Sequence, residues 1–144
     1  AANGIKQMPL TQLPRVLEQK KKKKNDLHEF AAMPVEVARI KSLSLYRNRL
    51  TTFDWPAGHS ALSRLNLGAN PLVSLPETLS ECAALESLGL ARTQISCLPE
   101  WVFSIQNLRE LDISYIEDRI PPTQIAHLRA RRVSLITRPG LVMP

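Results

Sequence analysis

The 144-residue sequence has few of the residues that mark disulfide frameworks, membrane spans or aromatic cores. Its two cysteines, Cys82 and Cys97, cannot supply the several disulfides that stabilise small secreted domains. No apolar run approaches the roughly 18 residues that a membrane-spanning helix needs. Aromatic residues make up only 5% of the chain, and glycine occurs five times. These shortages favour a reducing, intracellular compartment and a core built from aliphatic side chains.

Positive charge is abundant only in one place. The formal net charge is +6, but five lysines are consecutive, at Lys20 to Lys24, and the rest of the chain is nearly balanced. A local run gives no general case for nucleic-acid binding. Contact of Lys20 to Lys24 with a nucleic acid or an anionic membrane remains an open alternative.

A repeat of about 23 residues runs through most of the chain, with the template LxxLxLxxNxLxxLPxxLxxL. Its clearest copies begin at Leu62, Leu85 and Leu108, and a copy beginning at Ile40 precedes them by 22 residues. The segment Asn25-Leu27-Phe30 matches the second half of a copy. Downstream, Pro122, Ile125 and Leu128 keep the register, and Val133 with Leu135 predicts one last strand, in which Arg132, Ser134 and Ile136 align with Glu110, Asp112 and Ser114. The pattern therefore predicts about five coils and an N-terminal half-coil.

This pattern resembles leucine-rich repeats of the LP type over residues 25 to about 138. The resemblance implies an α/β right-handed solenoid with one short parallel strand per coil on the concave face and short helical or 3₁₀ convex segments. The residues support it independently, because the L-x-L alternation has the period of a strand and not of a helix. A single coil buries too little apolar surface to offset its ordering entropy, so the coils must stack.

The residues at the ends of the strands predict how each coil turns. Asn48 and Asn70 stand where the chain leaves the strand, and a short amide there can satisfy backbone groups that no strand ladder reaches. Thr93 can make part of that contact, whereas Ile116 cannot. We therefore expect a locally irregular turn between Tyr115 and Pro122.

The convex segments begin with proline. Leu75-Pro76 and Leu98-Pro99 are each followed by Glu, and they predict short helical or 3₁₀ turns. Cys82 stands at an apolar template position, which predicts a buried small hydrophobe. Trp55 and Trp101 are interpreted as convex wedges, with ligand stacking as the alternative.

Residues before Asn25 depart from the template, because Lys20 and Lys22 would occupy positions that are leucine elsewhere. Two buried lysines would be too costly without partners. We therefore predict an N-terminal cap over residues 1–24, followed by the solenoid over 25–144. A helix starting near Pro14 is one form of this cap, and an edge strand with blocking lysines is the other.

No catalytic or metal-binding constellation is found in the sequence. His28, His59 and His127 fall at non-equivalent positions with no metal-ligand spacing. No phosphate loop, nucleophile elbow or H-E-x-x-H motif occurs. Glu110 and Asp112 share a strand face, but we interpret them as part of a recognition patch. No enzyme activity, cofactor or small-molecule substrate is expected for this segment.

Residues that flank the buried leucines of each strand are predicted to face the concave side. The centre of that face is small and weakly polar, with Ser, Gly and Ala, which would allow close approach of a partner's backbone. Arg and Tyr, which are enriched at binding hot spots, surround it. The residues predicted to bind a partner are Ser44, Tyr46, Arg47, Arg64, Asn66, Arg92, Glu110, Asp112, Tyr115 and Arg132.

Two functions follow as hypotheses. The first is a protein-interaction module that binds its partner on the concave face. The second comes from a resemblance of the LP-type coils to bacterial type III effectors, some of which join such repeats to a ubiquitin-ligase domain. It implies a substrate-recruiting region of a secreted effector that acts in the host cell. The chain begins Ala-Ala-Asn-Gly without a methionine, which predicts a fragment of a longer protein.

Overall fold

The computed structural model describes residues 29–31, 40–58 and 60–140, and in these ranges the chain winds through stacked coils. Each coil contributes a strand of three residues. In chain order the strands are β1 (Glu29–Ala31), β2 (Ser42–Ser44), β3 (Thr52–Asp54), β4 (Arg64–Asn66), β5 (Ser87–Gly89), β6 (Glu110–Asp112) and β7 (Ser134–Ile136). Two 3₁₀ segments (Glu77–Glu81 and Glu100–Ser104) and one helix, α1 (Pro122–Ala130), lie on the other side of the coils.

The main sheet is parallel, with five strands in the order β2-β4-β5-β6-β7. The central residues of its strands pair in one row, formed by Leu43, Leu65, Leu88, Leu111 and Leu135. Parallel neighbours need a crossover between them, and here each crossover is the remainder of one coil. The predicted leucine-rich-repeat solenoid with one short parallel strand per coil is confirmed.

A second, two-stranded parallel sheet pairs β1 with β3. Phe30 pairs with Phe53, so the half-coil predicted upstream of residue 40 keeps its 23-residue step. The template predicted this register, but it did not predict that the two segments are strands.

The core is a continuous column of template residues inside the coils. The two leucines of each L-x-L pair are buried in the first four main-sheet coils, with isoleucine at the second position of the fourth. At roughly 1.5 to 3 kcal/mol for each fully buried leucine, this column is the main stabilising term. Because every coil contacts only its neighbours, that stabilisation exists only in the stack.

Asparagine side chains join the first coils at the turn after each strand. The Asn70 amide donates to the carbonyl oxygens of Leu45, Leu67 and Gly68 at 2.8–3.0 Å. Its Oδ1 accepts from the backbone N–H groups of Asn48 and Leu50 at 3.1 and 3.0 Å. The predicted role of these asparagines is confirmed, and Asn70 serves two coils at once.

In the third coil the Thr93 hydroxyl takes the place of the asparagine amide, and in the fourth coil Ile116 has no polar group there. Thr93 Oγ1 donates to the Leu90 carbonyl at 2.8 Å, which is the partial contact expected of threonine. Ile116 is buried, and the chain from 114 to 119 forms consecutive turns, so the irregular segment predicted here is confirmed. Arg119 donates to the Thr93 carbonyl at 3.1 Å.

The convex segments follow the predicted prolines. Pro76 and Pro99 precede the two 3₁₀ segments, and Pro122 occupies the first turn of α1. Trp55 and Trp101 are 2% and 7% exposed and pack in the core, which fits their interpretation as wedges. Cys82 is buried as predicted, and this burial raises the pKa of its thiol to about 11.

Long polar side chains attach the last coil to the one before it. Gln124 in α1 accepts from the Leu98 N–H at 3.0 Å and donates to the Leu98 carbonyl at 2.9 Å. Arg131 donates to the carbonyls of Phe103 and Ile105 at 2.6 and 2.5 Å. The Gln124 contacts therefore lie just before the second 3₁₀ segment, and the Arg131 contacts satisfy carbonyls at its end.

Glu117, in the irregular turn after β6, has a buried carboxylate. The Glu117 side chain is 1% exposed, and its Oε2 accepts from the backbone N–H of Arg138 at 2.8 Å. The Arg138 guanidinium lies 3.9 Å from Glu117 Oε1 and 3.2 Å from Asp118 Oδ2.

Two predictions about the ends of the chain have different outcomes. The cap over residues 1–24, with Lys20 to Lys24, lies outside the described residues. In the last strand, the predicted alignment was two residues off, because Leu135 and not Val133 pairs with Leu111. The helix α1 and the turn after it lengthen this coil to a step of 24 residues between Leu111 and Leu135. Within the described ranges, no helix is long and apolar enough to span a bilayer.

Candidate functional site

The exposed face of the main sheet is a shallow groove of about 240 Å³ that runs across the strands. Its lining comes from all five strands, because alternate strand residues point away from the core. The groove is smaller than the pockets of roughly 300–1,000 Å³ that enclose drug-sized molecules. Five of the ten predicted binding residues line it, namely Ser44, Arg64, Asn66, Glu110 and Asp112, and Tyr46 lies two residues after the end of β2.

Three further predicted residues form a rim at the turn after the strands. Arg47, Arg92 and Tyr115 are exposed and adopt left-handed backbone conformations, with φ of 60°, 58° and 69°. Ala69 occupies the same place in the second coil, with φ of 57°. The N–H groups of Arg47, Ala69 and Arg92 donate to the next coil at 2.7–3.1 Å, which extends the strand ladder through the turn.

Sequence reasoning missed this left-handed row because none of its residues is glycine. A non-glycine residue in this conformation costs roughly 1 kcal/mol or more, and the ladder bonds offset that cost. The only signal in the sequence is position, since each of these residues directly precedes the residue aligned with Asn48 or Asn70.

A stacked pair orders part of the rim. The Arg92 guanidinium lies over the Tyr115 ring, 3.9 Å from its centroid, and so joins the third and fourth coils. Arg47 lies more loosely over Tyr46, at 5.9 Å. Tyr46 and Tyr115 are 37% and 45% exposed, so both rings remain accessible beside the cations that they hold.

Side chains of neighbouring coils occupy part of the floor of the groove. A Cβ on Gly68 would lie 3.0 Å from the Tyr46 ring, and one on Gly89 would lie 2.7 Å from Asn66 Oδ1. Each glycine therefore makes room for a side chain of the preceding coil. Gly68 is buried against the Tyr46 ring, whereas Gly89 is half-buried and still lines the groove beside Asn66.

The last predicted residue lies elsewhere. Arg132 precedes β7, in a left-handed turn (φ 61°) after α1, and it pairs with no residue of the groove. The two-residue error in the alignment of the last coil had placed it on the concave face. Ser134 and Ile136 occupy the corresponding strand positions, and Ile136 is 38% exposed.

Polar contacts within the groove hold its carboxylates. Ser87 Oγ donates to Glu110 Oε1 at 3.2 Å. Asp112 Oδ1 accepts from the N–H and the hydroxyl of Ser114, at 3.0 and 2.6 Å. Asn66 Oδ1 accepts from the Gly68 N–H at 3.0 Å in the same way. These side chains are therefore ordered, and they present charge and amide groups in fixed places.

No arrangement for catalysis emerges from the part of the chain that the structure describes. It contains no group of three or more His, Cys, Asp or Glu residues that could hold a metal ion. Cys82 is buried among core residues, and this burial raises the pKa of its thiol, so the thiol stays protonated. His127 is exposed and stacks on Phe103, with centroids 4.8 Å apart.

A solved structure shows the same fold. A leucine-rich-repeat protein of Leptospira interrogans superposes with a TM-score of 0.61 at 20% identity, over 92% of this chain and 34% of that one. An internalin from Listeria monocytogenes gives a TM-score of 0.48 at 21% identity, over 82% and 42% of the two chains. The superposition on the Leptospira protein shows that this chain has the leucine-rich-repeat fold, and the chain spans about a third of that protein.

In comparisons of sequence, no family model matches the chain. A curated relative, described as the probable serine/threonine-protein kinase pats1 of Dictyostelium discoideum, is 28% identical over 101 residues, which cover 65% of this chain and 3% of that protein. The chain thus corresponds to a small segment of this relative.

Proposed function

We propose that this chain is a protein-recognition module that binds a partner through the groove of its main sheet and the adjoining rim. The observation that carries the proposal is the ordered, exposed set of unlike side chains along five coils, held on a rigid stack. Repeat solenoids present extended surfaces of this kind to macromolecules. The rim adds Tyr and Arg, the residue types that most often dominate binding energy.

The test uses a partner obtained with the protein itself. Pull-down followed by mass spectrometry identifies candidates, and one that binds in purified form is then measured against variants. The groove variant replaces Tyr46, Arg64, Asp112 and Tyr115 with alanine. We expect affinity to fall by at least about a hundredfold, since hot-spot truncations each cost roughly 2 kcal/mol or more.

The matched control replaces four exposed residues outside the groove, Glu77, Glu100, Gln106 and Arg129, with alanine. This variant should bind as the wild type does, and both variants should keep cooperative thermal unfolding. Equal affinity of the groove variant and the wild type would show that the partner binds another surface.

A second candidate function is recruitment of substrates to a catalytic domain in a longer protein. The similarity to a segment that makes up 3% of a probable kinase supports this arrangement in general. The ubiquitin-ligase form of the hypothesis, with secretion into a host cell, rests on the resemblance of the LP-type coils to bacterial effectors. The sequence of the full gene tests it, because a ligase requires a further domain beside the repeats.

A further inference from the structure

The charges of the groove are separated along the solenoid. Arg64, in β4, is exposed, and Glu110 and Asp112, in β6, are half-buried two strands away. Between them β5 contributes only Ser87 and Gly89 to the face. Two strand spacings correspond to about 10 Å. The groove therefore has a positive side and a negative side, with a neutral strip between them.

No ion pair recorded among the described residues neutralises these charges. Within the described ranges, the ion pairs that the structure records join Arg109 to Glu86 and Arg138 to Glu117 and Asp118. None of them involves Arg64, Glu110 or Asp112. The carboxylates accept hydrogen bonds from Ser87 and Ser114, which fix their position without cancelling their charge.

Apolar groups lie at both ends of this charged strip. Tyr46, in the first main-sheet coil, rests against Gly68, and its ring is 37% exposed. Ile136, on β7, is 38% exposed and lines the groove at the other end. The order along the solenoid is therefore aromatic, cationic, neutral, anionic and aliphatic.

We propose, resting on the proposed function above, that the groove takes an extended peptide segment with an acidic side chain and a basic side chain about three residues apart. In the polyproline II form of an extended chain, with three residues per turn and a rise of about 3.1 Å per residue, side chains three positions apart lie on one face, and their separation matches the distance from β4 to β6. The acidic side chain pairs with Arg64 and the basic one with Glu110 and Asp112. Apolar side chains on either flank contact Tyr46 and Ile136.

Other ligands fit this surface less well. The two carboxylates would repel a nucleic acid or a phosphate-bearing lipid that followed the length of the groove. The shallow volume of about 240 Å³ does not enclose a small molecule, whereas a peptide needs contact on one side only. A helical ligand would need its charged residues about seven positions apart, because a helix rises 1.5 Å per residue.

The experiment selects random peptides displayed on phage against three baits. These are the wild type, the Arg64→Glu variant and the Glu110→Lys/Asp112→Lys variant. The wild type should select peptides with one acidic and one basic residue three positions apart. Arg64→Glu should select two basic residues, and Glu110→Lys/Asp112→Lys should select two acidic residues. A synthetic wild-type-selected peptide should bind each charge variant about tenfold more weakly at low salt.

The four-alanine groove variant serves as a reference. It separates the charge-matched peptide proposal from the proposal that the groove binds a protein partner. If peptides bind the wild type and not that variant, but their charges are the same on all three baits, the groove is used and the charge matching is wrong. A selected spacing of seven residues, or no selection above the groove variant, also overturns the extended-peptide proposal. Neither outcome removes the groove as a site for a folded partner, which the purified-partner measurement tests separately.

Discussion

The first and last coils of the solenoid satisfy the backbone groups of their turns by different means. Each turn after a strand leaves buried backbone groups that need partners. In the first coils the asparagines at 48 and 70 supply them from within the repeat, and Asn70 reaches two coils. In the last coils Arg119, Gln124 and Arg131 reach back 26 or more residues to backbone groups of the preceding coil.

This difference determines how strongly the stability of each region depends on single residues. The amide ladder joins the first two main-sheet coils through Asn70, so the loss of this one side chain leaves several backbone groups of both coils unpaired. The hydrogen bonds that the long side chains of the last coils make to the preceding coil are only partly buried. The first region therefore depends on single residues more strongly than the last. Three substitutions test this comparison.

The largest effect is expected from Asn70→Ala. It removes an acceptor for two backbone N–H groups and a donor for three carbonyls, all in the buried turn. We expect the free energy of unfolding to fall by about 3 kcal/mol, measured by urea denaturation. Asn70→Thr, which copies the third coil, should recover part of that loss. A loss below about 1 kcal/mol for the alanine variant would contradict the ladder's role.

A smaller effect is expected from Arg138→Ala in the last coil. It leaves the buried Glu117 carboxylate with only the backbone N–H of residue 138 as a partner. We expect a loss of about 2 kcal/mol, lower than for a fully buried pair because Arg138 is partly exposed. The double variant Arg138→Ala/Glu117→Gln should be more stable than Arg138→Ala alone. Equal stability of the two would show that the carboxylate's charge is not the cause.

The smallest effect is expected where the two regions meet. Thr93→Val keeps the shape of the side chain and removes the hydroxyl that donates to Leu90, which should cost about 1 kcal/mol. Thr93→Asn extends the ladder by one coil and should raise the midpoint of thermal unfolding above that of the wild type. If Thr93→Asn is the less stable of the two variants, the ladder does not extend beyond the second main-sheet coil.

The same contrast explains what the sequence could predict. Strand positions, the buried leucines and the roles of Asn48 and Asn70 follow from a template that repeats at a fixed step. Arg119, Gln124, Arg131 and Glu117 stand outside that template, so their partners depend on the path of an irregular coil. The error at Arg132 has this origin, since α1 changes the step and shifts the last strand by two residues.

For the groove, residue types and faces were predictable, but contacts between coils were not. The period of a strand places Arg64, Glu110 and Asp112 on one face without a structure. The positions of Tyr46 against Gly68 and of Asn66 against Gly89 depend on the orientation of these side chains across neighbouring strands. The stacking of Arg92 on Tyr115 likewise joins residues 23 positions apart, through a backbone conformation that the sequence does not mark.

The most direct test of the central claim is amide chemical-shift mapping by NMR of the chain with its purified partner. The account predicts that the largest shifts fall at residues 42–47, 64–68, 87–92 and 110–115, on the groove and its rim. Shifts concentrated at the convex segments, residues 77–82, 100–105 and 122–130, would contradict it.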